Sequence, residues 1–347
     1  MARAVELHEQ RAHVARDVVG HEGLPQVLRA VVEHLCPIDL GLQSAVAGEH
    51  GQDLAVAHPA HVVDEPNRLG GHAGTLIAQD QYPGKDEGMD VSGKHVLVTG
   101  ASRGIGAAIA RAFAGAGARV TVVARTAGPL EAVAKEIGGR ALVADLFDAS
   151  QVDGLIERVE REVGPIDVLV NNAGMETTKS IFDTTRTDVD ELLALNLSVP
   201  IHLSRVALAR MRERGRGHIV NISSMAANGG FGGMSVYSAS KAGLSHFTRI
   251  VRQDLKGLDV RVTNLEVGPV PTDLLANLTH PPAVKSFARF RRMGLMPNVP
   301  AERVGSEAVR AVRRGKRAVW LPKRAFLFGF LAGAPQRIAE PLIRDIR

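Results

Sequence analysis

Between Val96 and Leu321, short apolar β-branched runs alternate with segments of helical periodicity, and this alternation constrains the fold more than any other feature. The runs are Val96–Val98, Val120–Val123, Ala141–Val143, Val168–Val170, His218–Ile222, Val260–Leu265 and Ala318–Leu321. Helical patterns fill the gaps at Ile105–Gly115, Leu130–Ile137, Val152–Val163, Val189–Arg212, Val236–Leu255 and Ala301–Arg314. Strands that are apolar along their whole length must be covered on both faces, which is the habit of a parallel sheet. Right-handed crossovers then predict an α/β, doubly wound parallel sheet of about seven strands with helices on both faces. Ligands of such a sheet sit at the carboxyl ends of its strands.

The first 88 residues differ in kind. They carry 8 of the 13 histidines, no Phe or Trp, one tyrosine (Tyr82), and a net charge of −7 against +12 for the remainder. Only Gly23–Cys36 has a clear helical stripe, so too little apolar area recurs to offset chain entropy, and residues 1–88 are expected to be mostly unstructured. The histidines show no third ligand at regular spacing near His58 and His61, so no metal site is expected. The single cysteine, Cys36, precludes an internal disulfide and fits a reducing cytoplasm. No signal-like segment opens the chain, and no run approaches the roughly 20 apolar residues of a membrane span. The arginines of the basic part are scattered without interleaved aromatic residues, which argues against a nucleic-acid partner.

Two local motifs carry chemistry. After the strand Val96–Thr99 comes Gly100-Ala101-Ser102-Arg103-Gly104-Ile105-Gly106, whose glycines permit a tight turn and close approach to a pyrophosphate. The helix that follows aims its N-terminal amides at that anion. Arg125 follows the next strand where an acid would favour NAD, and Arg103 lies in the loop opposite. Two guanidiniums suit a 2′-phosphate, so NADP(H) is favoured over NAD(H). The second motif is Tyr237-Ser238-Ala239-Ser240-Lys241: Tyr237 and Lys241 lie four residues apart on one helix face. A nearby ammonium favours the phenolate and is expected to bring the tyrosine pKa down toward neutral pH. Ser224 follows the strand His218–Ile222, placed to hold a substrate oxygen as charge develops.

Together these residues resemble the short-chain dehydrogenase/reductase family, from near Met89 to Pro322. The motifs are Thr99-Gly100-x3-Gly104-Ile105-Gly106, Asn171-Asn172-Ala173-Gly174, Asn196, Ser224 and Tyr237-x3-Lys241. The resemblance implies a Rossmann-type catalytic domain over 89–322 that interconverts a carbonyl and a secondary alcohol by hydride transfer. By it, Tyr237 is the acid in reduction and the base in oxidation. Lys241 tunes Tyr237 and binds the nicotinamide ribose, Ser224 orients the substrate oxygen, and Asn196 holds a water that relays protons to Lys241. Asp145 and Leu146 meet the adenine, Asn172, Ala173 and Gly174 line the cofactor, and Val270 and Thr272 meet the carboxamide. Where the family usually has Pro-Gly this chain has Val267-Gly268.

Leu274–Val299, with Leu274, Leu275, Leu278, Phe287, Phe290, Met293, Leu295 and Met296, fills the place of a substrate cover and favours a lipophilic carbonyl or alcohol. Competing readings are a catalytically silent NADP-binding sensor or scaffold, and a dinucleotide-dependent epimerase or dehydratase. A homodimer or homotetramer is expected. Residues 1–88 are expected to be dispensable and to lie upstream of the native start at Met89; a small acidic regulatory arm is the alternative. Residues 323–347 combine basic residues with the apolar run Ala325–Ala334, too short to cross a bilayer. They suit peripheral contact with an anionic membrane, packing on a second subunit, or a roof over the substrate pocket.

Overall fold

The computed structural model describes residues 88–229, 231–271, 280–292 and 297–323. The expectations for 1–87 and for the tail beyond Lys323 lie outside the described residues. All seven expected strands form, as β1 (His95–Thr99), β2 (Arg119–Ala124), β3 (Arg140–Val143), β4 (Val168–Asn171), β5 (Gly217–Ser224), β6 (Val260–Val267) and β7 (Ala318–Leu321). They make one sheet in the order β3-β2-β1-β4-β5-β6-β7, every neighbour parallel. The order reverses between β1 and β4, which opens a crevice at their carboxyl ends.

The helices are α1 (Gly104–Gly115), α2 (Ala127–Glu136), α3 (Ala149–Asp153), α4 (Leu155–Val163), α5 (Arg186–Leu193), α6 (Val199–Glu213), α7 (Ser235–Asp254), α8 (Pro281–Arg292) and α9 (Ala301–Arg313). Two apolar layers cover the sheet. One joins Ile109 and Phe113 of α1 and Val304, Ala308 and Val312 of α9 to Val96, Val98 and Val170. The other joins Leu155, Ile156 and Val159 of α4 and Leu203 and Met211 of α6 to Leu97, Leu169 and Ile219. Alternate residues of β1 thus serve opposite layers, which is why its whole run had to be apolar. Helices α1 and α9 pack closely because Gly305 leaves room: a Cβ there would stand 2.5 Å from the Ala108 carbonyl oxygen.

Two helical patterns differ from expectation. Val152–Val163 is split at Gly154 into α3 and α4. Val189–Arg212 is interrupted by a π turn, Ala194–Ser198, before α6. Pro200 lacks the amide that would bond back into the preceding turn, and one wider turn accommodates it. The whole helical run Arg186–Glu213 does reach the length and mean hydropathy of a membrane span, contrary to the sequence expectation. Its apolar side chains Leu192, Val199, Leu203, Ala207 and Met211 are buried within the protein, so it is a core element of this fold.

Candidate active site

The crevice at the switch point is a cleft of about 1020 Å³. Gly100, Ser102, Arg103, Gly104, Ile105 and Gly106 form one side of it. Gly100 and Gly104 have φ of 65° and 56°, the left-handed region that only glycine occupies cheaply. Gly106 is required by contact instead: a Cβ would lie 2.3 Å from the Gly100 carbonyl oxygen and 2.5 Å from Asn172 Nδ2. Helix α1 begins after Arg103 with no side-chain cap and no acid in its first turn, so its leading amides point into the cleft ready for an anion.

The turn is tied to the strand beside it. Thr99 Oγ1 accepts from the amides of Asn172 (3.0 Å) and Ala173 (3.1 Å). Asn172 Nδ2 donates to the carbonyls of Thr99 (2.9 Å) and Gly100 (3.1 Å). Asn172, Ala173 and Gly174 line the cleft, and the Asn172 side chain is a brace for the glycine turn. Arg125, Asp145 and Leu146 also line it. Arg103, Arg111 and Arg125 all stand on its walls; Arg103 and Arg125 are exposed, and Arg111 pairs with Glu136 at 2.7 Å. These features fit a dinucleotide: an uncapped helix end, a turn that excludes side chains, and cationic walls.

The second cluster lies at the carboxyl end of β5. Ser224, Tyr237 and Lys241 line a pocket of about 110 Å³ with Val270, which is buried. Thr272 lies outside the described residues. The side chains of Ser224 and Tyr237 share this pocket, and Ser224 Oγ accepts from the Ala226 amide at 3.1 Å. Lys241 Nζ donates to the Ile222 carbonyl at 3.1 Å, and burial lowers its pKa to about 8. Asn196, on the π turn, clamps the backbone of Met175: Oδ1 accepts from its amide and Nδ2 donates to its carbonyl, both at 2.9 Å. Nδ2 also donates to Ser240 Oγ at 3.2 Å, so the carboxamide braces the Met175 loop and α7.

The expectation that Lys241 brings the Tyr237 pKa down is not met in this arrangement. The phenol is pushed above its ordinary range, first by burial and second by the carboxylate of Glu176, with the Ser224 side chain opposing. The ammonium of Lys241 donates to the Ile222 carbonyl, and the charge of Glu176 acts on it against burial.

The family described as short chain dehydrogenase matches residues 94–283. The chain belongs to the short-chain dehydrogenase family. It is thereby an NAD(P)-dependent oxidoreductase of the CH–OH/carbonyl class. Among its relatives is the ketoacyl reductase HetN of a Nostoc species, 42% identical over half of this chain and 62% of that protein's length. The match therefore spans less than two thirds of HetN. The 3-oxoacyl-[acyl-carrier-protein] reductase FabG of Escherichia coli is 31% identical over 62% of this chain and 86% of its own. A metagenomic short-chain oxidoreductase solved in complex with NADP is 30% identical, with a TM-score of 0.55 over 67% of this chain and 98% of that one.

In this short-chain dehydrogenase several pocket residues escape sequence reasoning. Phe231, Met225 and Met234 wall the smaller pocket along with Phe287 of α8. Phe231 stacks on Phe287 with ring centroids 4.9 Å apart and meets Phe290 edge-on at 5.7 Å. Phe287 and Phe290 were expected in a substrate cover. Leu274, Leu275, Leu278, Met293, Leu295 and Met296 lie outside the described residues. Phe231 sits in a Gly-rich stretch with no periodicity to mark it. Glu176 lines both cavities and was likewise unmarked.

Proposed function

We propose that the protein is an NADP(H)-dependent reductase of a lipophilic, acyl-chain-like carbonyl, working through Ser224, Tyr237, Lys241 and Asn196. The observation that carries this reading is the convergence of Ser224, Tyr237 and Lys241 beside a cleft with an uncapped helix end and two exposed arginines. The bound nicotinamide supplies the hydride. The Ser224 hydroxyl holds the substrate oxygen, and the Tyr237 phenol donates its proton to that oxygen as charge develops there. Lys241, anchored to the Ile222 carbonyl one helical turn from Tyr237, is placed to hold the nicotinamide ribose. Asn196 keeps the Met175 loop and α7 in register, which fixes the width of the site between them.

The lipophilic substrate is supported by the Phe231–Phe287–Phe290 cluster with Met225 and Met234 at the pocket wall. HetN, a ketoacyl reductase, and FabG, a 3-oxoacyl-[acyl-carrier-protein] reductase, agree with it. We assign the catalytic domain to residues 89–322; the Met89 amide already docks on the Val312 carbonyl at 3.1 Å. A cytoplasmic homodimer or homotetramer, with its tail on a membrane surface or a second subunit, completes the reading on family grounds and composition. Oxidation of NADPH against a panel of ketones of graded chain length tests it. Ketone-dependent turnover that rises with chain length is expected. Binding without turnover would favour the sensor, and substrate conversion without net NADPH consumption the epimerase.

Cofactor choice has its own test. Arg125→Asp places an anion on the cleft wall where a 2′-phosphate is expected, replacing a charge-assisted fork with repulsion. The ratio of NADPH to NADH affinity, measured by fluorescence titration, is expected to fall by about 10-fold or more. An unchanged ratio would remove Arg125 from the reading.

A further inference from the structure

The loop after β4 places a carboxylate inside the reacting group, in a position that the four-residue mechanism does not use. Glu176 lines the larger cleft and the smaller pocket at once, so it stands where the two meet. Its position is held rather than incidental. Met175, the residue before it, is clamped on both its amide and its carbonyl by Asn196. Gly174, the residue before that, has no side chain to separate the loop from Lys241: a Cβ there would lie 3.4 Å from Lys241 Nζ and 3.0 Å from Asn196 Oδ1. The loop is thereby pressed against the catalytic lysine, with Glu176 next along it.

We propose that Glu176 is a positioning residue of the proton-transfer site, an anion that holds Lys241 charged and keeps the proton on Tyr237. This rests on the function proposed above. The physical argument is Coulomb's law in a water-poor pocket: a negative charge stabilises the neighbouring ammonium and opposes formation of the neighbouring phenolate. Both effects are present here, since Glu176 raises the pKa of Lys241 against burial and adds to burial at Tyr237. The carboxyl is itself pushed up to about 7 by burial, with Lys241 opposing. Its charge is therefore set near neutral pH. The ionisable groups facing it from α7 are Lys241 and Tyr237. The walls of the larger cleft add Arg103, Arg111, Arg125, Asp145, Glu191 and Glu302. Of these, Lys241 is the charge that acts on Glu176.

The consequence is a shift in pH dependence. An ionised Glu176 delays to higher pH the Tyr237 phenolate that alcohol oxidation needs. Glu176→Gln removes the anion while keeping the shape. The pH profile of kcat/KM for alcohol oxidation is then expected to move toward acid by about one pH unit or more. Glu176→Asp, which restores the charge, is expected to return most of that shift. A merely structural glutamate would lower the rate without moving the profile. Coincident profiles for wild type and E176Q would overturn the proposal.

A second measurement separates this inference from the reading beneath it. The chain has two tyrosines, so near-ultraviolet phenolate absorbance of the cofactor-free protein, with the Tyr237→Phe signal subtracted, follows Tyr237. The phenolate is expected to form at lower pH in E176Q than in wild type. If Y237F keeps normal turnover yet the phenolate transition moves, the hydride-transfer reading fails and the charge coupling stands. If Y237F is inactive and neither the profile nor the phenolate moves, the coupling fails alone.

Discussion

Tyr237→Phe is expected to lower turnover by about 10²–10⁴-fold while leaving NADPH affinity within a small factor. The substitution deletes the phenolic oxygen in the pocket shared with Ser224 and leaves the ring to pack with Met234 and Ala226. The site is 7% exposed at Tyr237, and no second phenol lies among the described residues to take over the proton. Steady-state kinetics with NADPH and an active ketone, beside a binding titration, read the two effects separately. Turnover within a few-fold of wild type would mean that the proton comes from elsewhere.

The second large effect concerns stability in acid. His218, at the start of β5, is buried with Nε2 2.8 Å from Thr263 Oγ1 on β6, and burial holds its pKa down at about 3, with Arg261 and Arg252 adding to the effect. The folded value lies below the unfolded one of about 6.5, so the unfolded chain takes up the proton first. The stability is thus fully present above pH 6.5 and is lost as the pH falls toward 3. About 2 kcal/mol should disappear by pH 5 from this residue alone. His95 adds in the same direction: it is buried on β1, bonded to Thr121 Oγ1 at 2.9 Å, and its pKa is likewise lowered, chiefly by burial. Urea unfolding at a series of pH values, for wild type and His218→Gln, measures the effect. The variant is expected to lose stability less steeply between pH 6.5 and 4, and equal slopes would dismiss His218 as the cause.

Much of the fold was open to reading because its strands are buried on both faces. Val96-Leu97-Val98 serves two apolar layers, and such a run reads as a central parallel strand without any partner in view. The glycine turn and the Tyr237–Lys241 pair were legible for a related reason: each is a local geometry, a backbone conformation in one case and a helical spacing in the other. The break at Ala194–Ser198 was harder, since its apolar pattern continues through the π turn and only Pro200 hints at it.

What the linear pattern could not carry is anything that depends on distance between separate segments. A lone glutamate in a loop has no period, so Glu176 became a site residue only when β4 delivered it beside α7. The Phe231–Phe287 stack joins a loop to a helix more than fifty positions later. The direction of the Tyr237 shift is the clearest case. Sequence spacing correctly put an ammonium one helical turn away, but a pKa answers to every charge and to the loss of water around it. Burial beside β5 and the carboxylate from another loop set the direction of the shift, and both arise only when the chain has folded. Periodicity and backbone chemistry are local and survive in the bare sequence; desolvation and charge coupling are sums over space and belong to the tertiary structure.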